Sequence, residues 1–274
     1  MIREIKYVNH INETLVFGKD GLYINESDLL DFAWGAVSKN NHISSFNRGI
    51  VSKTVSIFLK CNNTYEGLKA KNRLFEVCEK DVLAAKHGKI IIGDYYFRCF
   101  VTESKKTECS ITNGYMKLNV KVASDFPYWV KETTTAFNHG SAGTEGTNLD
   151  YNRDFPHDYA SNMLATSLVN GGFVASNFKM HIFGACESPC VTIGGHDYHV
   201  NVSVGSNEYL TIDSINKTVI LTHADGTTEN CFNLRDRDSY VFEKMSVGVS
   251  NVASSSNFKF EVTLLEERSE PKWT

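Results

Sequence analysis

Alternation with a period of two residues restricts this chain more than any other feature. In GYMKLNVKVAS the apolar Met116, Leu118, Val120 and Val122 share one face, with Lys117, Asn119 and Lys121 on the other. NFKFEVTLL sets Phe258, Phe260, Val262 and Leu264 against Lys259, Glu261 and Thr263, and HDYHVNVSV aligns Tyr198, Val200, Val202 and Val204. Strands with one buried and one wet face belong to antiparallel sheets. Turn residues divide them. Gly93-Asp94 lies between KIII and YYFRCFV, Asp225-Gly226 between KTVILTH and TTENCFNL, and Ser214 to Asn216 between YLTID and KTVIL. The pattern predicts an all-β, mainly antiparallel fold.

One segment departs from it. In NTYEGLKAKNRLFEVCEKDVLA, Leu68, Phe75, Cys78 and Val82 recur at helical spacing behind Asn63 or Thr64 as an N-cap. This predicts a single amphipathic helix over 64–84, packed on the first sheet through that face. After FPYWVKE the composition shifts: TTTAFNHGSAGTEGTN, residues 133–148, is rich in Thr, Gly and Ser, carries only Glu145 as a charge, and reads as a linker. The expected division is therefore an N-terminal β domain with one helix over 1–131, a linker and aromatic connector over 132–159, and a C-terminal domain of strands alone over 160–274.

Composition limits the partners. An apolar content of 42% with 22% charged residues is that of a globular chain. A net charge of −4 and a pI near 6.1 argue against a basic face for nucleic acid or anionic membrane. No stretch approaches the ~20 apolar residues of a membrane span, and MIREIKYVNHINETLVFG breaks its apolar residues with charge, unlike a signal peptide. A soluble protein made in a cytosol is expected. The seven cysteines, 61, 78, 99, 109, 186, 190 and 231, read as reduced, small apolar core residues.

Three places could hold chemistry. DYNRDFPHDY offers Asp150, Asp154, His157 and Asp158 for a metal or an acid–base pair, yet it follows a linker, and Pro156 excludes a regular helix. Convergent side chains need a rigid scaffold. The stretch therefore reads as an extended connector anchored by Tyr151, Phe155 and Tyr159, its acids solvated. In GGHDYH, His196 and His199 stand three apart on a predicted strand, so they point to opposite faces and share no ion. CESPC pairs Cys186 with Cys190, but a zinc site usually needs a second knuckle, for which only His181 or His196 offers help. No phosphate loop or dinucleotide fingerprint occurs, and HGSAG puts His139 where a nucleophile elbow needs glycine. No catalytic, cofactor or metal residue is assigned, and an enzyme is not expected.

The C-terminal third runs GGHDYHVNVSVGSNEYLTIDSINKTVIL, NCFNLRDRDSYVFEKMSVGVSNV and FKFEVTLLEERSEPKWT, preceded in order by DFPYWVKE and YNRDFPHDY. In this order and spacing, over essentially the whole chain, the sequence resembles the distal tail proteins of long-tailed bacteriophages and prophages. It departs at MSVGVSNVASSSNF, where family members often carry a Pro-Gly turn and a tryptophan. The resemblance implies a ring-forming, β-sandwich-like N-terminal domain with one helix and a galectin-like or jelly-roll C-terminal sandwich. It implies a structural adaptor at the virion tail tip or baseplate, assembled in the bacterial cytoplasm as a homohexameric ring. That ring would join the tail tube protein to the central hub, or tail-associated lysin, and support receptor-binding proteins. DNA would pass through its channel unbound, with no membrane partner and no cofactor. On this reading Tyr151, Phe155 and Tyr159 are contacts at the domain junction or in assembly. The rival reading is a carbohydrate-binding, lectin-like module for host adhesion; its aromatic platforms would be Trp129 and Tyr198, of which Tyr198 falls on the predicted inward face.

Overall fold

A computed structural model describes residues 4–19, 21–60, 64–110, 114–138 and 167–272. They form two compact units: residues up to Lys131 with those from Glu267 onward, and Glu132–Glu266.

The first unit contains β1 (Ile5–Val8), β2 (Thr14–Phe17), β3 (Leu22–Ser27), β4 (Gly35–Lys39), β5 (His42–Asn47), β6 (Val51–Lys60), α1 (Thr64–Ala84), β7 (Gly88–Ile92), β8 (Tyr95–Ser110), β9 (Tyr115–Ser124) and the start of β10 (Trp129–Asn138). Every pairing is antiparallel. β8 is long enough to serve two ladders: Tyr95 to Cys99 pair with β7, which continues through β1 to β2, while Phe100 to Ser110 pair with β9, which continues through β6 to β3. Ile57, Leu59, Leu118, Phe97 and Trp129 meet in one buried cluster, and α1 closes it from β6 and β8.

The helix spans Thr64–Ala84, but its inward face is not the one the sequence suggests. Leu74, Val77, Cys78 and Asp81 are buried, whereas Leu68, Phe75 and Val82 are exposed. Asp81 decides the orientation. Its carboxylate accepts from the Tyr7 hydroxyl at 2.5 Å and the His10 amide at 2.8 Å, and lies 2.6 Å from His10 Nδ1. Burial, and then the bond to Asp81, holds the Tyr7 phenol far above its ordinary pKa. A side-chain carbon at Gly88 would collide with both the carboxylate and the phenol, so only glycine permits this approach. The helix ends in a Schellman arrangement, Ala85 N–H donating to Val82 O at 3.1 Å and Lys86 N–H to Asp81 O at 3.0 Å. Ala85 itself takes the left-handed conformation, φ 50°.

The second unit contains the remainder of β10, then β11 (Ser167–Asn170), β12 (Asn177–Phe183), β13 (Cys186–Glu187), β14 (Cys190–Ile193), β15 (His196–His199), β16 (Ser203–Val204), β17 (Tyr209–Asp213), β18 (Thr218–Thr222), β19 (Thr228–Asn230), β20 (Gly248–Ser254) and β21 (Lys259–Arg268). One antiparallel sheet runs β19-β18-β17-β12-β21 and another β11-β20-β14-β15. Phe178, Met180, Ile182, Val191, Tyr198 and Phe260 fill one core, as expected of a sandwich. The all-β class is the observed one, with a single α-helix among the described residues.

Two readings of the chain's organisation change. Thr133 to Asn138 complete β10 instead of opening a linker, and Phe137 is buried, stacked on Phe260 at 4.9 Å between centroids. A run of threonines suits a strand as well as a loop. Residues from Glu267 onward, read as part of the C-terminal domain, return to the first unit; there the Arg48 guanidinium lies within 3.4 Å of Ser269 Oγ.

Candidate interaction surfaces

The sequence between β3 and β6 builds a hairpin with no core of its own. Lys39 pairs with His42 across Asn40 and Asn41, whose φ values of 52° and 63° make a type I′ turn. Asparagine tolerates that region because its short polar side chain can hydrogen-bond locally and offset the clash of its Cβ. Every residue of β4 and β5 is exposed. Ile43 and Phe46, which share one face, are 61% and 59% exposed, Val37 is exposed on the other face, and Phe32, Trp34 and Ile50 are exposed in the flanking segments. A two-stranded hairpin is marginal alone in water, and large apolar side chains left this open are of the kind found where a protein meets a partner.

Its base is held firmly. On the entry side the buried Lys53 ammonium donates to the carbonyls of Asp28, at 2.8 Å, and Asp31, and burial lowers its pKa. On the exit side the Arg48 guanidinium lies 5.1 Å from the Trp34 ring centroid and 4.9 Å from that of Tyr128, where burial lowers its pKa too. Trp34 and Tyr128 meet edge to face at 6.3 Å. The hairpin is thus aimed by its base while its tip stays bare.

A second apolar surface lies on the outer flank of α1, where Tyr65, Leu68, Phe75, Val82 and Leu83 project, Phe75 being 57% and Leu83 79% exposed. Beside them Glu76 and Glu79 meet no cation among the described residues. In the second unit, Val169 and Val249 face each other across β11 and β20 and are both exposed.

Catalytic geometry is not evident among the described residues. Among the described residues no three His, Cys, Asp or Glu side chains gather as a metal site would require. A depression of about 440 Å³ is lined by Glu4, Lys6, Asp94, Tyr95, Lys131 and Lys272, where Glu4 pairs with Lys6 at 2.8 Å and Asp94 with Lys131 at 3.2 Å. Among the described residues no helix is long and apolar enough to cross a membrane.

Tyr151, Phe155 and Tyr159, with Asp150, Asp154, His157, Asp158 and His139, lie outside the described residues. His196 and His199 take separate partners, Tyr240 O at 3.0 Å and Asp236 Oδ2 at 3.4 Å. Cys186 and Cys190 sit on different strands, β13 and β14, and both are unpaired. Burial raises the Cys186 thiol to about 11. Cys78, Cys99 and Cys231 are buried as expected; Cys109 is instead exposed, and Cys61 is outside the description. Trp129 and Tyr198, each 1% exposed, are core residues and present no aromatic platform. The hairpin was missed by the sequence reading, although Asn40-Asn41 between short apolar positions is a recognisable turn signal.

No family model and no curated protein matches this sequence. Solved structures do. The chain superposes on the SPP1 Dit protein, described as a paradigm of the hub adsorption apparatus in phages infecting Gram-positive bacteria, with a TM-score of 0.59 and 8% identity over 96% of this chain and 99% of that one. A chain of the phage P2 baseplate in its activated conformation with Ca gives a TM-score of 0.63 at 13% identity, covering 99% and 100%. The same baseplate with Sr gives 0.63 at 12% identity, covering 99% and 100%. The chain has the fold of phage tail-hub and baseplate proteins. The agreement of fold extends over both units.

Proposed function

We propose that this protein is a structural adaptor of a phage or prophage-derived tail tip. It forms a homohexameric ring that joins the tail tube to the central hub, or tail-associated lysin, and supports receptor-binding proteins. The observation that carries this reading is the agreement of fold over 96% to 99% of the chain with hub and baseplate chains. The bare, firmly based hairpin supports it, because a subunit designed for assembly carries surfaces that its own core leaves uncovered. The first unit makes the ring. Tyr151, Phe155 and Tyr159 anchor the connector at the domain junction, and DNA passes the acidic channel unheld. The protein is made in the host cytoplasm and acts at the virion's tail tip. Burial of Trp129 and Tyr198 weakens the lectin reading.

The test is imaging of the purified chain alone and with the tube protein, together with antibody labelling of particles. Six-fold rings and label at the distal end of the tail are expected. Chains that stay single with tube protein present, or label elsewhere on the particle, would overturn the reading.

A further inference from the structure

We propose that His223 is a proton-operated latch that fastens the edge strand β19 to the turn between β16 and β17; the device lies wholly in the second unit and stands apart from the ring reading. Three carboxylates face the imidazole, each from a different segment. Glu208, in the turn between β16 and β17, brings Oε1 to 2.8 Å from Nδ1. Glu229, in β19, brings Oε2 to 3.6 Å from Nε2. Asp225 adds its charge from the turn that joins β18 to β19, its own carboxylate accepting from the Thr227 amide at 2.8 Å and hydroxyl at 2.6 Å. A charged imidazole has two N–H donors and can serve Glu208 and Glu229 together. The neutral ring has one, so it keeps one carboxylate and turns a lone pair toward the other.

Which carboxylate is given up follows from how each is held. Glu208 is fixed: its Oε2 accepts from the Gly205 amide at 2.9 Å, and its backbone carbonyl accepts from the Gly184 amide at 3.0 Å. Glu229 has a side chain 58% exposed. It belongs to a strand of three residues, Thr228–Asn230, all exposed and paired among the described residues only with β18. The bond to Glu208 raises the imidazole pKa above its ordinary value, desolvation opposing it less strongly. The same bond, with the Gly205 amide, holds Glu208 below the usual carboxylate range. Both contacts are therefore complete below about pH 6.5. As pH rises through the raised value, the neutral ring keeps Glu208 and loses Glu229. β19 then loosens, and the outer edge of β18 from Ile220 to Thr222 is uncovered.

The experiment follows the full chain across the imidazole's titration. Ring-proton NMR gives the pKa of His223, and amide hydrogen exchange over 227–230, each rate divided by that of an unstructured peptide at the same pH, gives the protection of β19. Protection is expected to fall about twofold to fivefold through the titration, the scale of an exposed ion pair, while β12, inside the same sheet, keeps its own. Glu229→Gln changes only an exposed side chain and leaves Glu208 in place; it should abolish the fall, as should His223→Gln. Constant protection in the unmutated chain, or an imidazole titrating at or below its ordinary pKa, overturns the latch. A fall that persists in both variants assigns the pH dependence to other groups and overturns it too. A fall lost in His223→Gln but kept in Glu229→Gln overturns the fastening of β19 through its carboxylate.

Discussion

Replacing Asp81 by alanine tests whether a buried polar cluster, and not an apolar stripe, seats the helix. The carboxylate is fully buried and serves the Tyr7 hydroxyl, the His10 amide and His10 Nδ1 at 2.5, 2.8 and 2.6 Å. Removing it strands the phenol and the amide, at about 1–3 kcal/mol for each unsatisfied buried donor. The imidazole is partly reachable by water, so its loss adds little. A total near 3–4 kcal/mol is expected, a large part of the ~5–15 kcal/mol that holds a domain together. With a urea dependence of about 2 kcal/mol per molar, the first unit's midpoint falls by roughly 1.5–2 M. Fluorescence of Trp129, in the core of that unit, reports the transition. Asp81→Asn, which keeps one acceptor, loses about half as much, and Tyr7→Phe leaves the carboxylate one donor short, at about 1–2 kcal/mol. A D81A midpoint within ~0.3 M of the unmutated chain at unchanged slope would refute the account of how this helix is seated.

Three further outcomes follow from the geometry. Ala85→Gly relieves the left-handed backbone at the helix C-terminus, φ 50°, and is expected to raise stability by about 0.5–1 kcal/mol after the entropy of the unfolded glycine is subtracted, read as a higher Tm. Burial, with Lys179 adding to it, pushes the His181 imidazole down to about 4; the unfolded chain takes up a proton near pH 6.5 that the folded one refuses. Stability of the second unit therefore falls as pH drops from about 6.5 to 4, by about 1–3 kcal/mol, and levels off below. His181 lies 3.1 Å from Thr211 Oγ1 and beside Tyr209, Lys179 and Asp213, so His181→Gln keeps a polar partner, and its pH–stability curve should be flatter over that window; identical slopes would contradict this. Arg48→Ala empties the space between Trp34 and Tyr128, at about 1–2 kcal/mol, and hydrogen exchange over 35–47 should quicken; exchange unchanged from the parent would show that the stack does not hold the hairpin.

Much of the framework was legible. Alternation in 116–122 and 258–264 put the right residues in the cores, because a strand's period leaves little choice once one face is buried. The helix was legible in its extent but not in its orientation. Leu68, Phe75 and Val82, seven residues apart, look like a core stripe, while the true inward face includes Asp81, a residue that no hydrophobic pattern would place there. Its three partners lie more than seventy positions away in sequence. The hairpin was silent for a related reason. With both faces of β4 and β5 exposed, no alternation between wet and dry is imposed on Gly35–Asn47. Surfaces meant for another chain obey the partner's geometry, and a single sequence carries only half of that constraint.

Because the first unit is assembled from residues on both sides of Glu132–Glu266, the second unit is a guest threaded into a host. Truncating from the C-terminus would strip a part of the host, including Ser269 beside Arg48, before the guest was gone. Excision at the two crossing points, within β10 and within β21, is the cut that respects the architecture. Any replacement module whose ends arrive as a neighbouring pair of strands could be spliced there, leaving the bare hairpin and the helix flank as they are.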